Sequence, residues 1–169
     1  MTPARATLPT RDLVLTRTFH VSPDRLWEAW TIGDRVMQWW GPAGFVSPSA
    51  RMDVRVGRSS LVCMRAPAEF GGQDLYNTWT YQVVEPMRSL EFTLDWADRD
   101  GNRVAPVAMG LPPDTPRDVR HLVTIEPAGD GRAKLTVTEF GYTSDQQFEL
   151  SKAGLQQCLD KMAASFGTG

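Results

Sequence analysis

The chain has 169 residues and a formal net charge of −2 at pH 7, and 41% of its residues are hydrophobic. A chain of this length and composition fits one globular domain with a core of its own. Nucleic acids and anionic membranes are recognised by concentrated positive charge, and no block of basic residues is present, so neither is expected as a partner. No apolar run reaches membrane-spanning length, and the N-terminal residues lack the apolar centre of a signal peptide.

The cysteines and histidines do not form a recognisable metal or redox motif. Cys63 and Cys158 lie far apart, without the spacing of a metal or redox site. Free thiols suit a reducing compartment, so a cytoplasmic protein is expected. The only histidines are His20 and His121, and no carboxylates surround them in the pattern of a metal site. The sequence therefore predicts no metal and no cofactor.

A tail, a strand and two short helices are predicted first along the chain. Residues 1–11 are expected to form a flexible N-terminal tail. Residues 12–21 alternate in the manner of a strand. The Ser-Pro pair at 22–23 favours a helix start, because serine is a good N-cap and proline fits the first helical position. Gly33 interrupts this helix, and the Gly-Pro pair at 41–42 ends a second one.

From residue 45 to residue 142 the sequence predicts strands joined mostly by short turns. The segments are rich in β-branched and aromatic residues, and turn chemistry such as Gly129-Asp130-Gly131 separates them. Consecutive strands with short connections favour an antiparallel meander. The strands are expected at 45–54, 59–66, 75–84, 89–96, 119–126 and 133–140.

Two longer features complete the chain. Residues 98–116 contain four prolines and few strand-forming residues, which predicts a long, partly stiff loop of a kind often associated with function. Residues 145–166 are predicted to form a helix, with Ser144 and Gln147 as a capping box and apolar residues recurring on one face. At 1.5 Å per residue this helix is about 33 Å long, enough to cross an entire sheet.

Five short motifs stand out along the chain: VSPDRLWEAWT at 21–31, QWWGP at 38–42, DVRVG at 53–57, EPMRSL at 85–90, and Gly154-Leu155. In these motifs the chain resembles the Hsp90 ATPase-activator-homologue family, although Leu155 stands where that family tends to have a tryptophan. The order of the elements resembles the helix-grip fold of the START-like (SRPBCC) superfamily, to which that family belongs. The resemblance implies an α+β fold with a curved antiparallel sheet of about seven strands wrapped around the C-terminal helix, in a single domain over residues 12–167.

A sheet that grips one helix leaves a gap, which becomes a pocket lined by alternate strand residues and one helix face. Side chains alternate between the two faces of a strand, and this alternation predicts that the bulky residues, including Val83 and Leu135, face inward. Trp27 and Trp30 are expected to pack in the core, whereas Trp39 and Trp40 are expected at the pocket rim. The loop at residues 98–116 is expected to cover a second opening of the pocket. The predicted ligand-binding residues are Trp39, Trp40, Asn77, Trp79, Tyr81, Phe92, Leu94, Trp96, His121, Val123, Val137, Phe148, Leu155 and Leu159.

Two polar residues in the inward set are candidates for chemistry. His121 and Glu139 share parity on neighbouring strands, and such a pair in an apolar pocket would act as acid and base or orient a polar ligand. In the alternative interpretation, His121 is a half-buried histidine with its hydrogen bonds satisfied, and Glu139 points to an edge. Asn77 is a candidate hydrogen-bonding anchor.

Three functions stay open at this level. The first is binding of a small or medium hydrophobic ligand between the sheet and the C-terminal helix. The second, implied by the resemblance, is a chaperone partner that stimulates an Hsp90 ATPase. The third is a cyclase-like or hydrolase-like enzyme that uses His121 and Glu139. An exposed sheet edge or the tryptophan-rich segment would also support a homodimer.

Overall fold

In the computed structural model, which describes residues 9–167, a seven-stranded antiparallel sheet curves around a long C-terminal helix. The architecture is α+β and matches the predicted helix-grip fold. The predicted N-terminal tail falls mostly on residues 1–8, which lie outside the described residues. Arg11, assigned to that tail, already belongs to the first strand.

The elements follow the predicted order along the chain. The strands are β1 (Arg11–Phe19), β2 (Val46–Arg51), β3 (Ser59–Arg65), β4 (Asp74–Glu85), β5 (Ser89–Ala97), β6 (Val119–Gly129) and β7 (Arg132–Tyr142). The α-helices are α1 (Pro23–Thr31), α2 (Gly33–Val36) and α3 (Asp145–Phe166), and short 3-10 helices lie at Ala68–Phe70 and Pro106–Met109.

The helix starts follow the predicted capping chemistry. The Ser22 hydroxyl accepts a hydrogen bond from the Arg25 backbone N–H at 3.4 Å, and Ser144 accepts one from Gln147 at 3.2 Å. Each bond satisfies a backbone donor that the first helical turn leaves free. Capping therefore sets where α1 and α3 begin.

The second helix is shorter than predicted. α2 ends at Val36, and the chain continues to Trp40 in hydrogen-bonded turns. The fully buried Trp39 donates its indole N–H to the carbonyl of Ala29 at 2.8 Å. This bond connects the segment after α2 to α1 and holds that segment in turns instead of a continued α-helix.

The strand order is β1-β7-β6-β5-β4-β3-β2. Strands β2 to β7 form the predicted meander, and β1 closes against β7. The register aligns Tyr81 with Phe92, Phe92 with His121, and His121 with Glu139. These four residues therefore form one row across β4, β5, β6 and β7 on the face that packs towards the helices.

One strand departs from the predicted parity. A register shift separates Tyr81 from Val83 in the pairing of β4 with β5. Because the side-chain period of a strand is two, one irregular residue exchanges the faces of everything that follows. Val84, rather than Val83, consequently packs against the core.

Candidate functional site

A cavity of about 210 Å³ lies between the concave face of the sheet and α3. An engineered apolar cavity of about 150 Å³ holds benzene, so this one suits a molecule of roughly ten non-hydrogen atoms. The wall is largely apolar, with polar groups gathered at few places. The lining residues are Trp30, Trp40, Gly41, Pro42, Met64, Asn77, Phe92, Leu94, Trp96, Thr115, Pro116, Val119, His121, Glu139, Tyr142, Gln147, Ser151, Gly154, Leu155 and Cys158.

Stacked aromatic rings run from the core to this cavity. The rings of Trp79 and Phe92 stack with centroids 4.7 Å apart, and Phe92 stacks on the imidazole of His121 at 4.9 Å. Trp30 lies against the rings of Trp79 and Phe92 at a tilt, and Trp40 meets Trp79 edge to face. Such packing fixes ring positions and supplies a rigid apolar wall.

The polar end of the cavity is a cluster of three side chains from β6 and β7. His121 Nε2 lies 3.2 Å from Glu139 Oε2, and the Tyr142 hydroxyl donates to Glu139 Oε1 at 2.5 Å. His121 Nδ1 lies 2.9 Å from the carbonyl oxygen of Val119. A carbonyl only accepts, so Nδ1 carries a proton and donates. His121, Glu139 and Tyr142 are called the polar cluster below.

The environment of the polar cluster changes the acidity of two members. Burial opposes the charge of Glu139, but the positive charge of His121 and the hydrogen bonds from His121 and Tyr142 outweigh it, so the pKa of Glu139 is lowered. Burial, followed by the negative charge of Glu139, raises the pKa of Tyr142. Glu139 is therefore a carboxylate and Tyr142 a neutral phenol at neutral pH.

This geometry limits the chemistry of His121. Nδ1 donates to Val119, and Nε2 faces the carboxylate of Glu139 at 3.2 Å. Both ring nitrogens are therefore directed at protein groups and not at a ligand. The arrangement suits fixing and orienting polar groups better than general-base catalysis.

Part of the loop after β5 covers the cavity, as predicted for residues 98–116. Thr115 and Pro116 belong to the lining, and the Trp96 indole N–H donates to the carbonyl of Pro116 at 3.1 Å. Asp114 accepts a hydrogen bond from the Gln147 side-chain amide at 3.2 Å. The loop is thus held to β5 on one side and to the start of α3 on the other.

A second loop, residues 41–45, forms another part of the wall and is held by α3. Lys161 Nζ donates to the carbonyls of Gly41 at 2.9 Å and Phe45 at 3.0 Å. The backbone N–H of Ala43 donates to Gln157 Oε1 at 2.9 Å. Burial lowers the pKa of Lys161. This segment is called the 41–45 loop below.

Half of the predicted ligand-binding residues line the cavity. These are Trp40, Asn77, Phe92, Leu94, Trp96, His121 and Leu155. The others pack in the hydrophobic core beside it, namely Trp39, Trp79, Tyr81, Val123, Val137, Phe148 and Leu159. Strand parity identifies the inward face but does not separate core from cavity, because both are apolar.

The placement of the tryptophans differs from the prediction. Trp39 lies in the core rather than at the rim, since its ring packs against Trp30 and its N–H bonds to Ala29. Trp30 packs in the core as predicted and also contributes to the cavity wall, and Trp40 lines the cavity as expected. The alternative in which Glu139 points to an edge is wrong, because Glu139 is 6% exposed and contacts His121.

Tyr142 is the important residue that sequence reasoning missed. It lies three positions after Glu139, so simple alternation turns it away from the cavity. Gly141 has a φ of 88°, and the β1–β7 register shifts at this point. The irregularity brings Tyr142 back to the inner face. A glycine before an aromatic residue at a strand end is the only sequence signal for it.

Two structural findings concern membranes and metals. Among residues 9–167, no helix is both long and apolar enough to cross a membrane. Over the same range, no group of three or more histidine, cysteine or acidic side chains is arranged to hold a metal ion.

Comparison with known proteins identifies the family. The model of the family described as Activator of Hsp90 ATPase homolog 1-like protein matches residues 20–167. A crystal structure of an AHSA1 protein from Silicibacter pomeroyi is 27% identical, with a TM-score of 0.71, covering 92% of this chain and 97% of that chain. A protein from Chromobacterium violaceum is 24% identical, with a TM-score of 0.73, covering 91% and 95%. No curated protein matches the chain.

Proposed function

The chain belongs to the Activator of Hsp90 ATPase homolog 1-like family, and on that premise we propose that it binds a small hydrophobic molecule in the cavity between its sheet and α3. The observation that carries the proposal is the cavity of about 210 Å³, whose largely apolar wall includes a few convergent polar groups. Pockets of this composition are typical of small-molecule sites. Both cysteines are free thiols, and we assign the protein to the cytoplasm as part of the proposal.

The wall is suited to a small, ring-shaped molecule. Phe92, Leu94 and Trp96 from β5 face Leu155 and Cys158 from α3 across the space. Flat aromatic faces favour stacking with a planar ligand. The volume limits that ligand to about ten non-hydrogen atoms.

Two other functions are weaker proposals. The contact between His121 and Glu139 meets the geometric requirement of the enzyme hypothesis, but both ring nitrogens of His121 are already engaged. Stimulation of an Hsp90 ATPase is suggested by the family description alone. Ligand binding is favoured because it uses the cavity itself.

We propose to test binding with indane, a two-ring hydrocarbon of suitable size. At ten times its dissociation constant, indane is expected to stabilise the protein by about 1.4 kcal/mol, which raises the melting temperature by about 3–6 °C. Leu155→Trp, which places a larger side chain in the wall, should abolish this shift. Thermal denaturation with and without indane measures the effect.

The matched control is the same substitution on the same helix outside the cavity. Leu150 is 57% exposed, so Leu150→Trp should keep the full shift with indane. A shift that survives in Leu155→Trp, or that is absent from the unmodified protein, would count against the cavity as the binding site.

A further inference from the structure

Every hydrogen-bond donor of the polar cluster is already used within the protein. His121 Nδ1–H donates to the carbonyl of Val119, and the Tyr142 hydroxyl donates to Glu139 Oε1. His121 Nε2 faces Glu139 Oε2 at 3.2 Å, so a proton on this nitrogen points at the carboxylate and not into the cavity. The polar cluster therefore has no N–H or O–H group left for a ligand.

Acceptor capacity, in contrast, is left over. Each oxygen of a carboxyl group can accept two hydrogen bonds. Glu139 Oε1 accepts one from Tyr142, and Oε2 is engaged once by His121. At least one acceptor position on the Glu139 carboxylate therefore stays open, and Glu139 belongs to the cavity lining.

The cavity also discriminates against ions. Its ionisable lining groups, within the described part of the chain, are His121, Glu139, Tyr142 and Cys158. The Glu139 carboxylate is already engaged by His121 and Tyr142, and the pKa values of Tyr142 and Cys158 are both raised, chiefly by burial, so these two groups are neutral. An ionic ligand would lose its hydration without gaining a counter-charge, which is costly.

We infer that the occupant of this cavity is an uncharged molecule of one or two rings that carries a hydroxyl group, and that this hydroxyl donates a hydrogen bond to Glu139. The inference rests on the proposed binding function and names the chemical class of the ligand. The hydroxyl fills the open acceptor position, and the rings contact the apolar wall.

Three probes of nearly equal size separate the alternatives. Indane has no polar group, 1-indanone carries an acceptor only, and 1-indanol carries a donor. One net hydrogen bond makes 1-indanol bind about five- to tenfold more tightly than indane. 1-Indanone should bind less tightly than 1-indanol, because its carbonyl cannot donate to Glu139. Within the described residues, the indole N–H groups of Trp30 and Trp40 have no hydrogen-bond partner, and these residues line the cavity, so they are the donors that a carbonyl would use instead. Isothermal titration calorimetry gives the three dissociation constants.

A substitution of the acceptor Glu139 provides a second test. Glu139→Gln replaces one carboxyl oxygen with an N–H donor. The preference for 1-indanol, measured as the dissociation constant of 1-indanone divided by that of 1-indanol, should therefore fall towards one. Glu149→Gln, the same change at an exposed position on α3, should leave the preference unaltered. Circular dichroism establishes that each variant is folded. If Glu139→Gln does not fold, the three probes on the unmodified protein still decide.

The outcomes distinguish the hydroxyl inference from the proposed binding function on which it rests. Equal binding of all three probes, or a preference for 1-indanone, overturns the hydroxyl inference while leaving the binding function intact. Absence of binding by every probe overturns both. A preference for 1-indanol that is unchanged in a folded Glu139→Gln variant overturns the assignment to Glu139.

Discussion

The ion pair of His121 and Glu139 dominates the chemistry at the scale of single residues. The two residues are 7% and 6% exposed, so the charge of each depends on the other. Removing one member of a buried pair leaves an uncompensated charge, which typically costs about 3–5 kcal/mol. The imidazole of His121 also stacks on the ring of Phe92, which adds a favourable contact between the two rings.

The first residue-scale prediction concerns His121→Leu and pH. In the unmodified protein the pKa of Glu139 is lowered, so its contribution to stability is present above the usual glutamate pKa and is lost as the pH falls through the lowered value. In the variant only the hydrogen bond from Tyr142 still opposes burial, so the pKa of Glu139 should rise and the variant should gain stability as the pH falls. The free energy of unfolding of the variant should be lower than that of the unmodified protein by about 3–5 kcal/mol at pH 7, and by less at pH 4.5.

Urea denaturation at the two pH values measures this difference. The double variant His121→Leu/Glu139→Gln, which lacks the buried charge, serves as the control and should recover much of the loss at pH 7. A difference that is independent of pH would contradict the role assigned to Glu139.

At the scale of elements, α3 does more than close the core. Its inner face packs against the sheet, and Lys161 and Gln157 hold the 41–45 loop through three hydrogen bonds. Hydrogen bonds from a charged donor contribute more than neutral ones. The loop that forms part of the cavity wall is therefore positioned by side chains of the helix rather than by its own backbone.

The element-scale prediction is that Lys161→Met loosens the 41–45 loop. Methionine keeps the apolar stem but loses both bonds to Gly41 and Phe45. We expect a local loss of about 1–2 kcal/mol, because Lys161 is only partly buried. Hydrogen exchange of the Ala43 amide should accelerate about tenfold. Lys152→Met, earlier on the same helix, is the control and should leave this amide unchanged; equal acceleration in both variants would contradict the prediction.

At the scale of the whole molecule, the cavity exists because the sheet curves around one helix. Cys158 lies on α3, lines the cavity and is 5% exposed. Burial raises the pKa of this thiol to about 11, and the thiolate is the reactive form. Its reaction with an alkylating reagent is therefore slow while α3 stays packed on the sheet, because little thiolate is present.

The whole-molecule prediction uses this thiol as a reporter, in a Cys63→Ala background that leaves Cys158 as the only cysteine. Alkylation by iodoacetamide at pH 8 should be roughly 100-fold slower in the native protein than in urea, because the pKa of about 11 leaves far less thiolate than the usual value of about 8.5. Mass spectrometry over time measures the rate. Native labelling as fast as in urea would mean that packing of α3 on the sheet does not bury this thiol.

Much of the fold was predictable from local chemistry. The Ser-Pro start of α1 and the capping box at Ser144 have local causes, so their positions agree with the structure. The pairing of His121 with Glu139 was also accessible, since their strands are joined by a short turn. Val83 was assigned to the wrong face and Tyr142 was not singled out, because each lies beside a register shift. Such shifts depend on how two strands pair, which the sequence of one strand does not show.

The sequence by itself determined the family, the order of the elements and which strand faces are apolar, because periodicity, capping and turn chemistry act between near neighbours in the chain. Only the tertiary structure decided which inward residues surround empty space and which fill the core. It placed Trp30 in the cavity wall and Trp39 in the core, and joined Tyr142 to Glu139. A cavity is space left between elements from distant parts of the chain, so no local pattern records its boundary.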